Sequence, residues 1–314
     1  MNMKKIIALL IGLFMVLTLG GCSSSSTNEN PIDPNAHAEP EVKTLADDTS
    51  LRALVVNVPE NFETVARFVE STADGKIIEK DLNYTMTDGP DIGYALMCDA
   101  NLADSIGTSN LEAMEKLDVD GRTVYIYKDG STYMALAECG NDIYAVNYAL
   151  KDDNSDAFYD FVKTLKFDES AAGEVEVNDT DLYDIVYTLD SAYNVYGSSI
   201  TYSEDNTGKP LEKTVMYKFG ESDANMDFRL LIRVHKNKAL EDLLSDSRTY
   251  EEKTINGITY TVEVNEDGPA YNYYTQHNDD VYQIRNSGKS GFFTTRSDES
   301  FAALDSLLNS ISFK

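Results

Sequence analysis

The sequence is poor in the side chains that most enzymes use for nucleophilic or metal chemistry. Its 314 residues include three histidines, three cysteines and no tryptophan. A Ser-His-acid or Cys-His enzyme needs a histidine beside its nucleophile, and only His37, His235 and His277 are available. The chain also lacks a Gly-x-Ser-x-Gly elbow, a His-Glu-x-x-His helix and a Walker loop. The sequence therefore predicts no enzymatic activity, no metal site, no cofactor and no catalytic residue.

Basic residues are also scarce, with 26 Lys and Arg against 54 Asp and Glu and a formal net charge of −28. Such a surface repels nucleic acid and anionic lipid head groups, which excludes both as electrostatic partners. The acidity is explained either by solubility or by weak binding of Ca²⁺ or cationic peptides at several places. The segment around Asp118 and Asp120 resembles a calcium loop only in part. Tyr127 stands at its twelfth position, where glutamate is needed, so a hairpin turn is predicted instead.

Only one long hydrophobic run is present, from Ile6 to Leu19, and its 14 residues are fewer than the roughly 20 that a transmembrane helix needs. With Lys4 and Lys5 before it, the run is typical of an export signal over residues 1–21. The following Leu-Gly-Gly-Cys motif resembles the bacterial lipobox. This resemblance implies that Cys22 is the first mature residue and carries a diacylglyceryl group, which anchors the protein on the outer face of the cytoplasmic membrane. Residues 22–50 have few large apolar side chains and are predicted to be a disordered tether.

The most informative pattern is an internal repeat, because residues 119–167 are similar to residues 255–313. Val-Asp-Gly at 119–121 corresponds to Ile-Asn-Gly at 255–257, and Tyr144 corresponds to Tyr282. The spacing between matched residues is 257 − 121 = 136 and then 282 − 144 = 138. The repeat predicts two tandem domains, at 51–167 and 181–314, joined by a linker at 168–180.

Alternating apolar residues predict mostly antiparallel strands in each domain, and three- and four-residue spacings predict a few helices. Short helices are expected at 110–117 and 238–244, with a longer one closing each domain. The sequence thus predicts an α+β fold in which each repeat is a curved antiparallel sheet with a few helices packed on it. Comparison of the copies places Val124, Ile126, Tyr144 and Val146 and their counterparts Tyr260, Val262, Tyr282 and Ile284 in the core. The same comparison places Tyr125, Tyr127, Thr261, Glu263, Gln283 and Arg285 in solvent.

This order of elements, from the strand ending at Val58, Pro59 and Glu60 to the closing Phe-containing helix, resembles PsbP-like domains. It equally resembles uncharacterised domains of lipoproteins from low-GC Gram-positive bacteria. The resemblance implies an α/β/α or sheet-plus-helices sandwich in each copy and a binding or accessory role, and it supplies no catalytic residues.

Two sets of residues are candidates for a role beyond the scaffold. Tyrosines can stack on a sugar if they are exposed, and the candidates are Tyr125, Tyr127, Tyr271, Tyr273 and Tyr274. Cys98 and Cys139 both lie near strand ends of the first domain, where export permits a disulfide but free buried thiols are the alternative.

The function that follows is non-enzymatic binding or accessory work at the cell surface. Apart from the membrane that holds the lipid anchor, the predicted partner is another cell-surface protein or a glycan. A sensor or assembly subunit acting through protein contacts is the alternative, and a surface hydrolase has the least support because no motif for it is present.

Overall fold

The computed structural model describes residues 51–72, 75–130, 132–150, 155–171, 180–203, 210–219, 229–265, 269–286 and 298–314. The predicted signal, Cys22 and the tether lie outside the described residues. No helix in these ranges is both long enough and apolar enough to cross a membrane.

Strands account for most of the regular structure. In the first half of the chain they are β1 (Leu54–Val55), β2 (Phe62–Ser71), β3 (Ile77–Met86), β4 (Asp91–Met97), β5 (Glu115–Val119), β6 (Arg122–Asp129), β7 (Thr132–Cys139), β8 (Asp142–Ala149) and β9 (Lys166–Phe167). In the second half they are β10 (Ile185–Val186), β11 (Tyr193–Ser203), β12 (Pro210–Phe219), β13 (Arg229–His235), β14 (Tyr250–Ile255), β15 (Ile258–Glu263), β16 (Asn272–His277), β17 (Asp280–Asn286) and β18 (Ser312–Phe313).

Helices are few and short in the described ranges. The α-helices are α1 (Leu102–Ile106), α2 (Thr108–Ala113), α3 (Ser155–Val162) and α4 (Asp298–Ser310). Two 3-10 turns cover Glu169–Ala171 and Leu240–Asp242.

The predicted α+β class with helices packed on each sheet is wrong, because the protein is mostly β. Strands account for 53% of the described residues and helices for 17%. Fourteen of the strands have antiparallel sheet neighbours. The helix expected at 238–244 is only the 3-10 turn Leu240–Asp242. The helix expected at 110–117 ends at Ala113, because Met114 is extended and β5 begins at Glu115. Three-residue spacing over two turns was too short a signal to separate a helix from a turn followed by a strand.

The described residues divide into two units, and each has its own core. The first contains residues 51–66 and 83–171, and the second contains residues 67–82, 180–203 and 210–314. In the first unit, the strand order β4-β8-β7-β6-β5 is accompanied by the β1·β9 pair. In the second unit, the order β13-β17-β16-β15-β14 is accompanied by the β10·β18 pair. The same pairing order therefore occurs in both units.

The registers also repeat. Leu96 pairs with Tyr144 in the first unit and Val234 pairs with Tyr282 in the second. The offset is the same for both partners, since 234 − 96 = 138 and 282 − 144 = 138. A two-residue turn with positive φ at both positions joins β5 to β6 at Asp120-Gly121 and joins β14 to β15 at Asn256-Gly257. That turn type matches the twist of an antiparallel hairpin, so the repeated Asp-Gly and Asn-Gly sequences set these registers.

The core positions predicted from the repeat are confirmed. Buried residues include Val124, Ile126, Tyr144 and Val146 in the first unit and Tyr260, Val262, Tyr282 and Ile284 in the second. In the first unit, Phe158 of α3 contacts the ring of Tyr133, with centroids 4.9 Å apart. In the second unit, Leu304, Leu307 and Leu308 of α4 belong to the same cluster as Tyr273 and Ile284. The terminal helices therefore contribute to one face of the strands in each unit.

Candidate functional site

The two units differ on the opposite face of these strands, which we call the outer face. In the first unit the outer face is apolar: Ala95, Met134, Leu136 and Ala145 pack with Leu102 and Ile106 of α1 and Leu111 of α2. Tyr133 contacts α3 while its neighbour Met134 packs with α1 and α2, as expected when successive strand residues point to opposite faces. The first unit thus closes its outer face with two short helices.

The second unit carries polar side chains at the same positions. With the offset of 138, the counterparts of Ala95, Met134, Leu136 and Ala145 are Arg233, Asn272, Tyr274 and Gln283. The backbone register joins these residues across the sheet, since Tyr274 pairs with Gln283 and Gln283 pairs with Arg233. The segment that corresponds to α1 and α2 contains only the 3-10 turn Leu240–Asp242. We call this surface the polar face.

Buried hydrogen bonds organise the centre of the polar face. Asn272 Nδ2 donates to Glu263 Oε2 at 3.0 Å and to the Tyr274 hydroxyl at 2.8 Å. Gln283 Nε2 donates to Asn272 Oδ1 at 2.9 Å and to the Tyr274 hydroxyl at 3.2 Å. All four side chains are less than one tenth exposed. A connected network of this kind holds its members in one geometry, because breaking any bond would leave a buried polar group unpaired.

A pocket of about 480 Å³ opens beside this network and is lined by Ser247, Arg248, Thr249, Glu263 and Val264. Arg248 forms an ion pair with Glu263, and Arg248 is about half exposed whereas Glu263 is buried. Arg248 also hydrogen-bonds to Tyr271. Glu263 therefore joins the pocket to Asn272 and the network behind it.

A second polar group on the same face surrounds Glu212. Arg233 Nε lies 3.2 Å from Glu212 Oε1, and His235 Nδ1 lies 3.1 Å from Glu212 Oε2. Burial alone would raise the pKa of Glu212, but the His235 hydrogen bond and the Arg233 charge hold that pKa below its ordinary value. Arg233 Nε also donates to Thr214 Oγ1 at 3.0 Å. The charges of this group are matched within the protein.

The tyrosines proposed as stacking residues have different environments. Tyr125 and Tyr127 are half-buried beside the apolar cluster under α1 and α2. Tyr273 is buried in the core of the second unit, and Tyr274 is buried in the polar network, so neither presents a ring face to solvent. Tyr271 is half-buried, with the Arg285 guanidinium 5.9 Å from its ring centroid. The structure therefore does not bring the predicted tyrosines together as one surface.

Cys98 and Cys139 are free and buried. Strand β8 lies between β4, which Cys98 follows, and β7, which ends at Cys139. Strands two positions apart in a sheet are roughly 10 Å apart, whereas a disulfide needs Cα atoms within about 7 Å. The strand order therefore excludes the possible disulfide, and the structure has the alternative, two free buried thiols. In the described ranges no three His, Cys, Asp or Glu side chains are placed so that they could hold a metal ion.

Sequence reasoning missed the residues that organise the polar face. Glu263 and Gln283 were predicted to face solvent, and both are buried. Their burial depends on Arg248, Asn272 and Tyr274, which satisfy their polar atoms. The sequence contained one signal for this face. At the offset of 138, Asn272 stands in place of Met134 and Gln283 in place of Ala145, in a strand pair that otherwise keeps its core residues.

A group of buried carboxylates in the second unit gives a separate prediction about pH. Burial, and next the charge of Glu70, raise the pKa of Glu79 from 4.5 to about 8. Burial and the charges of Glu79 and Glu70 raise the pKa of Asp81 well above its ordinary value. Tyr196 lies against the same carboxylates, with a hydrogen bond to Glu70. The folded chain therefore holds protons here that the unfolded chain would release.

This proton uptake makes the protein more stable in mild acid. Because the folded-state pKa of Glu79 is raised, the stabilisation is fully present below about pH 4.5 and is lost as the pH rises through about 8. We expect the free energy of unfolding in urea to fall by about 1 kcal/mol per pH unit across this range. Glu79→Gln should reduce that slope, with Asp81 still contributing to it, and Glu252→Gln, at an exposed position of β14, should leave it unchanged. An equal slope in the Glu79→Gln chain would contradict the assignment.

Comparison with known proteins adds little. No protein family and no curated protein matches the sequence. Among solved structures, MucB in complex with MucA(peri) is 10% identical with a TM-score of 0.21, and the match covers 81% of this chain and 93% of that chain. MucB alone is 11% identical with a TM-score of 0.19 over the same shares. Similarity at this level supports no conclusion about fold or function.

Proposed function

We propose that the chain is a non-enzymatic binding or accessory protein of the cell surface, and that its ligand contacts the polar face of the second unit. The main evidence is that the outer face is apolar in the first unit and polar in the second. One copy closes this face with Met134, Leu136 and two helices, and the other places Asn272 and Tyr274 there beside a pocket. Burying a hydrogen-bonded network gives little net stability over apolar packing, so stability alone does not explain the replacement.

The partner that fits this proposal is a glycan or another protein of the cell surface. The net charge of −28 disfavours nucleic acid. A sensor or assembly subunit would need an apolar docking patch. In the described ranges the exposed large hydrophobic residues are Val55, Val58, Val186 and Val264, each 38 to 44% exposed. Only Val264 borders the pocket, so the alternative gains no specific support.

The location of the protein is also a proposal, and it rests on the N-terminal residues. The basic start, the apolar run from Ile6 to Leu19 and the Leu-Gly-Gly-Cys motif indicate export and lipid attachment at Cys22. We expect globomycin, which blocks lipoprotein signal peptidase, to leave an uncleaved precursor with a lipid-modified Cys22. Normal processing in the presence of the drug would contradict the anchor.

Site-directed photo-cross-linking in cells tests the binding face. A photoreactive phenylalanine replaces Ser247 in the pocket, and a matched chain carries it at Ser109, an exposed serine of α2 in the first unit. We expect adducts with envelope material from position 247 and none above background from position 109. Adducts from Ser109 alone, or equal yields from both positions, would refute the assignment of the face.

A further inference from the structure

The hydrogen-bonding capacity that remains on the polar face indicates what kind of ligand it takes. Asn272 and Gln283 use both hydrogens of their amide nitrogens within the protein. The Tyr274 hydroxyl accepts from both amides, so its own hydrogen is left to donate. Among the described residues no hydrogen bond uses Gln283 Oε1. The network therefore offers one donor and one acceptor that the protein does not use.

Arg285 adds a second donor next to them. It pairs with Asn272 across β16 and β17, two residues along from the Tyr274 and Gln283 pair and on the same face of the sheet. Its Nε is buried and has no hydrogen-bond partner in the described part of the chain. A buried donor without a partner is costly, and a bound acceptor would remove that cost. Two donors and one acceptor thus lie on the same face of the sheet, at strand positions two residues apart.

Two ion pairs neutralise most of the basic charge on the polar face, and the charge of Arg285 is the exception. Arg248 is neutralised by Glu263, and Arg233 by Glu212. A carboxylate ligand could use the donors, but it would also approach the buried Glu263 and the carbonyl oxygen of Gln283. The net charge of −28 adds long-range repulsion of anions. A cationic ligand would meet Arg285. A hydroxyl group can donate to Gln283 Oε1 and accept from Tyr274 or Arg285, and it is itself uncharged.

Aromatic rings lie beside the same residues. Tyr250 contacts the ring of Tyr274 edge to face, with centroids 6.4 Å apart. Tyr271 hydrogen-bonds to Arg248 and lies 5.9 Å from Arg285. Both rings are half-buried, and half-exposed tyrosines can pack against the C–H groups of a sugar while their hydroxyls stay solvated.

We infer that the polar face binds a neutral, hydroxyl-rich ligand, an oligosaccharide, with Tyr274, Gln283 and Arg285 as its direct contacts. The inference rests on the proposed function and narrows it to one ligand class. In this arrangement Tyr274 and Arg285 donate to sugar oxygens, and Gln283 accepts from a sugar hydroxyl. Glu263 and Asn272 act as positioning residues, because they hold Tyr274 and Gln283 through the network.

Titration of the mature chain with defined tetrasaccharides tests the inference. The probes are cellotetraose and chitotetraose, which are neutral, and tetragalacturonate, which is acidic. We expect a neutral probe to bind with Kd of the order of 1 mM or tighter and tetragalacturonate to bind at least tenfold more weakly. Tyr274→Phe should raise the Kd of the neutral probe at least about fivefold, because it removes the hydrogen bond to the sugar and also the acceptor of the Asn272 and Gln283 amides. The matched control Tyr273→Phe, on the core side of the same strand, should change it less than twofold.

A second variant and the Ser247 adducts distinguish a wrong ligand class from a misfolded variant or a wrong binding face. Arg285→Met removes the unpaired donor without touching the network and should weaken neutral sugars about as much as Tyr274→Phe, even if the latter chain folds poorly. Tighter binding of tetragalacturonate, or no binding of either neutral probe up to about 10 mM, would overturn the ligand class. If adducts still form from Ser247 in that case, the binding face stands and only the saccharide is wrong. If those adducts are absent as well, the proposed function fails with it.

Discussion

Asp142→Asn is expected to lower the free energy of unfolding by about 2 to 3 kcal/mol, a large effect for one charge. Asp142 is buried, and both of its oxygens lie 2.9 Å from Arg52 Nη1. Its Oδ1 also accepts from the backbone N–H of Asp99 at 3.0 Å. Asp99 has a φ of +51°, so this hydrogen bond holds a left-handed turn after β4. The asparagine amide keeps one acceptor oxygen, which can still bind the Asp99 N–H, but it loses the negative charge and the second acceptor oxygen that pair with Arg52.

The second unit should respond in the same way to Asp280→Asn, since 280 − 142 = 138. Lys236 Nζ lies 2.7 Å from Asp280 Oδ2, and the Asn237 N–H donates to Asp280 Oδ1 at 3.1 Å. Asn237 has the same φ of +51° as Asp99. Thus each copy has one buried aspartate that forms an ion pair with a basic side chain and accepts a hydrogen bond from the backbone N–H of a left-handed turn.

Urea unfolding of the two variants checks this prediction. Asp118→Asn, at an exposed position of β5, is the matched control and should change stability by less than about 0.5 kcal/mol. If Asp142→Asn and Asp280→Asn were as mild as the control, the aspartates would not be the structural elements that the repeat preserves.

The part of the fold that was predictable from sequence is the part that depends on local periodicity and on the repeat. Alternation together with the second copy identified the buried face of the β6 to β8 meander, because Tyr144 and Tyr282 keep the same role. The Asp-Gly and Asn-Gly turns set the hairpin registers for a local reason, the tolerance of positive φ.

What could not be predicted depends on contacts between residues distant in sequence. Glu263 was placed in solvent because a carboxylate usually is, and only the approach of Arg248 from the loop before β14 makes its burial favourable. The balance of strand and helix was also misjudged. The spacing of Leu111, Met114 and Leu117 is compatible with a helix, yet β5 continues the sheet from Glu115 because strand pairing with β6 is available there.

The candidate site was within reach of the sequence only through a comparison of the two copies. Neither Asn272 nor Gln283 forms a motif, and in isolation each looks like an ordinary polar strand residue. They stand out only by comparison with the first unit, where Met134 and Ala145 occupy the same positions and two helices cover this face. A divergence of polarity between duplicated scaffolds is therefore a better indicator of a binding face here than any short pattern.

Conversion of the polar face to its first-unit composition is the most direct test of this account. Asn272→Met, Tyr274→Leu and Gln283→Ala together give the second unit the residues found at 134, 136 and 145. Three of the four network side chains are replaced together and the fourth, Glu263, keeps its ion pair with Arg248, so we expect the chain to stay folded. The matched control is Ile284→Val, which introduces the first-unit residue of position 146 on the core face.

The measurement is the yield of envelope adducts from a photoreactive residue at Ser247, compared between the converted chain, the control and the unmodified chain. We expect a loss of at least about tenfold in the converted chain, since several hydrogen-bonding groups are removed, and an unchanged yield in the Ile284→Val chain. Circular dichroism should show equal strand content in all three chains. A folded converted chain that retains the full adduct yield would contradict the claim that the polar face of the second unit is where this protein binds.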